Sequence, residues 1–238
     1  MTTYQKTALA LALATSASAN ASYTFTSFGP ASWGASDATV GVAGYTIENF
    51  EDVNLVSGLQ VGVVSPNGNL APTSTLPNTF KPSDDGFGTA FTIGGGGVWD
   101  GEHGVINTRT NQTFSYGESN SWGNLSFYFT GGTSSAGFSV QQMDRDAEIY
   151  VNGTLKGLVS SLAPNFVVNG GRQGYLRIDA SGGDMINSIT LRDNTPGTNG
   201  FSDGYMFDHV AFKAVPEPAT MVVLGGGLLA VLKRRKSR

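Results

Sequence analysis

Between residues 22 and 214 the hydrophobic pattern of this chain alternates. In Asn124-Leu125-Ser126-Phe127-Tyr128-Phe129-Thr130, the residues Leu125, Phe127 and Phe129 fall on one face of an extended segment and Asn124, Ser126 and Thr130 on the other. Period two with one apolar face marks a half-buried antiparallel strand. Ala147 to Val151 alternates likewise, and Asn152-Gly153 then supplies two residues that tolerate positive φ before Thr154-Leu155-Lys156. Those are the requirements of a hairpin with a type I′ turn. Further strands are predicted at 59–64, 89–93, 137–141, 175–179, 188–192 and 205–213, with clusters rich in Gly, Asn and Asp between them. No stretch carries a sustained apolar helix face. Many short strands broken by turns predict an all-β domain over 22–214, an antiparallel β-sandwich or jelly roll of two packed sheets.

Both ends depart from this pattern. Residues 1–21 run from Lys6 through an Ala/Leu stretch, Ala8 to Ala14, into small and polar residues, with Ala17, Ala19 and Ala21 spaced for a peptidase that accepts only small side chains. This is the layout of a secretory signal peptide, with cleavage expected after Ala19 or Ala21. At the other end, Pro216 and Pro218 cannot lie within a helix or a central strand and so mark a break at about 215. The apolar run from Ala219 to Leu232 has 14 residues. As a helix it would measure about 21 Å against a hydrocarbon core of about 30 Å. A short transmembrane helix is expected there, its ends aided by snorkelling cations. The basic end would lie in the cytoplasm and the domain outside.

Composition sharpens this division. The chain has 238 residues with a net charge of −4, but Lys233, Arg234, Arg235, Lys236 and Arg238 hold much of the positive charge. Residues 22–215 contain 8 basic and 17 acidic side chains, a net charge of −9. An acidic body without a basic stripe argues against nucleic acid as a partner. Because there is no cysteine, disulfides, thiolate metal sites and a Cys nucleophile are excluded.

The order Pro216-Glu217-Pro218, an apolar segment containing Gly225-Gly226-Gly227, then Lys233-Arg234-Arg235-Lys236 resembles the PEP-CTERM sorting tail of exported bacterial proteins. The resemblance covers 215–238 and implies recognition and processing at Pro216-Glu217-Pro218 by a membrane exosortase after passage through the export machinery. It also implies a bacterium that builds exopolysaccharide, biofilm or floc matrix. Weaker likenesses place Phe50 to Leu55 and Asp208 to Phe212 as the first and last strands of the sandwich domains often found ahead of such tails.

Chemistry in the body is sparse. Two histidines, His103 and His209, occur without a Gly-x-Ser-x-Gly elbow, a His-Glu-x-x-His motif or a phosphate loop, so no enzyme is expected. Strand parity puts Asp208 on the face of Val210 and Phe212, where a carboxylate needs partners. It either caps local N–H groups at a strand mouth or, with Glu51, ligates a structural Ca²⁺. Trp99, beside Asp100, Glu102 and His103, and Trp122 with Tyr116 combine aromatic rings with polar groups in Gly-flanked loops. Such sites suit glycans, and the same rings suit core anchors. The expectation is a surface or matrix protein, sorted by an exosortase, whose non-catalytic sandwich contacts exopolysaccharide. The alternatives are a secreted carbohydrate-active enzyme using Glu102, Glu118 or Glu148, and a purely structural protein-binding matrix component.

Overall fold

The computed structural model describes residues 22–29, 35–64, 69–76, 99, 104–106, 123–143, 146–168, 172–193 and 205–214. Among these, two antiparallel sheets face each other. In the first sheet, β1 (Ser22–Phe28), β11 (Arg172–Ser181), β7 (Ser135–Met143), β13 (Met206–Phe212) and β2 (Thr46–Glu48) lie side by side in that order; β10 (Val167–Val168) pairs with β11 and β5 (Val105–Ile106) pairs with β13. The second runs β4 (Leu70–Thr73), β3 (Leu59–Val64), β6 (Asn124–Thr133), β12 (Ile186–Asp193), β8 (Ala147–Val151) and β9 (Thr154–Leu158). A single helical turn, α1 (Val159–Leu162), follows β9.

The alternation read from the sequence builds the interior. Leu125, Phe127 and Phe129 of β6 and Ala147, Ile149 and Val151 of β8 are all buried in one core. Phe127 meets the opposite sheet through Phe138 at 5.7 Å and, edge-on, through Phe207 at 5.4 Å between ring centroids. Phe129 packs on Phe212 at 5.3 Å. Tilted and edge-to-face contacts of this kind add about 0.5–1.5 kcal/mol each beyond area burial. The expected turn is present, with φ of 52° at Asn152 and 73° at Gly153. The Asn152 side chain also donates to Tyr23 Oη and to the Met185 carbonyl, and accepts from Asn187 N–H and Ser188 N–H. That one amide ties the β8–β9 turn to the edge strand β1.

Two sequence expectations are corrected. The first strand is Ser22–Phe28, not Phe50 to Leu55; its Tyr23 and Phe25 pack on the core rim beside Ala180 and Ile178. Phe50 instead adopts φ of 54° and turns the chain out of β2. Asp208 does not share a face with Val210 and Phe212. The β13–β7 ladder slips between Asp208 and Ala211, and His209 takes φ of 49°, so one extra residue bulges. Phe207, Val210 and Phe212 point into the core, while Asp208 lies opposite Ser139 on the outer face. The strand expected at 89–93 and the helix expected at 219–232 lie outside the described residues. Among the described residues, no helix is long and apolar enough to cross a membrane.

Candidate functional site

The outer faces of the two sheets differ, and the first carries most of the candidate chemistry. Val40, Val42, Trp99, Tyr175 and Ala211 form a second, smaller core on it. Tyr175 reaches it because Gly137 of the neighbouring strand has no side chain; a Cβ there would sit 2.7 Å from the Tyr175 ring. The Tyr175 hydroxyl donates to the His209 carbonyl at 3.2 Å, which holds the bulge.

Polar groups fasten residues 36–45 over this layer. Tyr45 Oη donates to Ser135 Oγ at 2.9 Å, and Ser135 Oγ donates to Asp179 Oδ1 at 2.5 Å. Asp179 also takes the Arg177 Nε–H at 2.9 Å, while Arg177 Nη1 donates to the carbonyls of Val40 and Gly41. Gly41 is needed on two counts. Its φ is 74°, and a Cβ would lie 1.8 Å from Arg177 Nη1. His209 lies against the same segment, its Nε2 3.0 Å from Asp37 Oδ1 with the imidazole 5% exposed.

The predicted site residues distribute as follows. Trp99 is 4% exposed, its ring 5.0 Å from Tyr175 and 6.0 Å from His209. The structure therefore makes it an anchor of the outer core. Asp208 accepts the His209 backbone N–H at 2.6 Å, but it is buried, not solvated at a strand mouth as the sequence alternative had it. Glu51 is exposed in the turn after β2. Among the described residues, no group of three or more His, Asp or Glu side chains is placed to hold a metal ion. Trp122, Tyr116, Pro216, Glu217 and Pro218 lie outside the described residues.

Sequence reading missed Glu48. It is buried at 3% exposure, opposite Val210. Its two oxygens accept N–H groups from Phe50 and Val56, each at 2.7 Å, so one carboxylate clasps both ends of the 50–56 loop. Burial raises its pKa above the ordinary 4.5, against the lowering effect of those N–H donors. Its signal was parity: Thr46, Ile47 and Glu48 form a short strand that ends in a carboxylate facing inward.

Ser139 Oγ donates to the Asp208 carbonyl, and the His209 Nε2 faces Asp37. Glu148 accepts the Tyr150 hydroxyl at 2.7 Å and lies 3.7 Å from Arg192.

The fold thus defines an all-β sandwich whose last strand, β13, runs into a C-terminal segment of Pro-Glu-Pro, apolar and basic blocks. Residues 214–236 match the family model of the PEP-CTERM protein-sorting motif. The chain is a PEP-CTERM sorting-domain-containing protein, and the motif identifies an exported protein that an exosortase sorts to the cell envelope or surface. No curated protein matches the chain, and no solved structure matches it.

Proposed function

We propose that this protein is a non-catalytic surface component whose sandwich domain contacts neutral exopolysaccharide while its tail directs sorting. The observation that carries this reading is the position of the sorting motif. It begins at residue 214, two residues after β13 ends at Phe212, so the address is joined almost directly to a folded body. Aromatic glycan contact falls to Trp122 and Tyr116, since Trp99 has its ring packed on Tyr175 and His209.

Intact mass of the protein recovered from the envelope of an exosortase-bearing host tests the sorting reading. A product ending near Pro216-Glu217-Pro218 is expected, and replacing Pro216 and Pro218 by Ala should leave the chain unprocessed. Recovery of the full C-terminus in both forms would overturn it. Release of reducing sugar from polysaccharide by the purified protein would overturn the non-catalytic part.

A further inference from the structure

A groove of about 780 Å³ opens beside the end of β13, between β2 and the β3–β4–β6 side of the second sheet. Its size is within the range of small-ligand sites. Leu55, Leu59 and Phe212 form its apolar floor, and Ala214, the first residue of the sorting motif, lies at its rim. Besides Thr46 of β2, its polar wall includes Asn54, Ser57, Gln60, Ser74, Thr75 and Thr130. Of these last six, all but Gln60 are exposed, and none of their side chains hydrogen-bonds another described residue. No described lining residue is charged, although the body around it is strongly acidic.

The wall is also held in place. Leu55 N–H donates to the Ser74 carbonyl at 2.9 Å, Leu76 N–H to Val53 at 2.7 Å and Thr130 N–H to Gly58 at 2.8 Å. Glu48 fixes the same loop from inside through Phe50 and Val56. A ligand would therefore meet groups that are already ordered, which lowers the entropy cost of binding.

We propose that this groove binds a neutral saccharide chain. Hydroxyls and primary amides both donate and accept, as sugar hydroxyls require. The absence of a cation among the described lining residues counts against uronate or phosphate ligands, which need charge-assisted partners. The assignment rests on the glycan-contact reading above and gives it a location.

Native gel electrophoresis of the full chain in mild detergent, through dextran, β-1,3-glucan, xyloglucan or alginate, tests it. Retardation is expected in at least one neutral polysaccharide and not in alginate. The variant S74A/T75A/T130A should weaken that retardation roughly tenfold, because three hydrogen bonds of modest net strength are removed. A control with Thr24, Thr154 and Ser161 replaced by Ala should behave as wild type. All six positions are exposed, and melting curves check that each variant folds. A second variant, Ser57→Trp, should obstruct the groove and lose retardation without any loss of hydroxyls from its far wall. Wild-type retardation of both groove variants, with loss confined to Trp122→Ala, would overturn the groove and leave glycan contact standing. Binding to alginate alone, or displacement by peptides and not by oligosaccharides, would also overturn it. Retardation by no polysaccharide would remove both proposals.

Discussion

The two faces of the first sheet are stabilised in different ways. The inner face is a continuous apolar layer in which Phe138 and Phe207 meet Phe127 of the opposite sheet. The outer face has a small apolar patch around Trp99 and Tyr175, and its cover is fastened by Arg177, Asp179 and Ser135, with Asp37 lying against His209. Area burial is non-directional and supplies most of the stability. Directional bonds instead specify which segment lies where. The outer layer should therefore open locally under conditions in which the inner layer holds the molecule together.

The largest effect should come from the inner layer. Phe127→Ala removes a ring with contacts in both sheets and is expected to cost about 3–5 kcal/mol, read as one cooperative loss in chemical denaturation. A loss under about 1 kcal/mol would contradict the central place given to that ring. Next is Gly41→Ala, which combines positive φ with a collision at Arg177 and should cost about 2 kcal/mol. Hydrogen exchange should accelerate at the Val42 and Tyr45 amides, which are bonded to the Asp37 and Val42 carbonyls, more than in β6. Equal acceleration in both would show that the outer cover is not a separate unit.

Glu48→Gln probes the one carboxylate described as clasping a loop from the inner side. Its amide can accept only one of the two N–H groups well, so a loss of about 1–2 kcal/mol is expected. The pH dependence has a definite sign. Burial raises the folded-state pKa above 4.5, so this group's contribution is full below that value and declines as pH rises through the folded pKa. The wild-type lead over the variant should narrow as pH rises from the ordinary 4.5 through the raised folded-state pKa. A lead that widened over that range would reverse the assignment.

Smaller again is Asp37→Asn. The Asp37 side chain is 40% exposed, so solvent screening limits the loss to about 0.5 kcal/mol, with faster exchange at the Val42 amide as the local sign. Smallest of all is the response to calcium. The His209 N–H already partners Asp208, so the melting temperature should be the same in EGTA and in millimolar Ca²⁺. A rise with Ca²⁺ would restore the metal site expected from Glu51 and Asp208.

The inner layer was legible in the sequence because period two reports directly which side chains face a core. β6, β8 and the Asn152-Gly153 turn followed from it, and β7, β11, β12 and β13 were located to within a few residues. The outer layer was not legible. Trp99, Val40, Tyr175 and Ala211 are far apart in sequence, and no periodicity links them. The bulge at His209 was also hidden, since Asp208-His209-Val210 reads as regular alternation until a ladder partner reveals the extra residue. That one residue moved Asp208 to the opposite face. β1 was hidden because Tyr23 and Phe25 alternate with threonines over only a few residues, directly after the small and polar stretch that ends the signal-peptide pattern. The sorting motif was legible for a different reason, as its order of blocks is read without any fold.

β13 also has a mechanical consequence. All seven of its residues are buried, and it is paired with β7 on one side and with β2 and β5 on the other. A pull on residue 214 would therefore enter the middle of a sheet. Loaded along the strand, it must shear ladders on both sides together, whereas a pull on Ser22 could peel β1 from β11 one pair at a time. The end that carries the address is the end better built to bear a load.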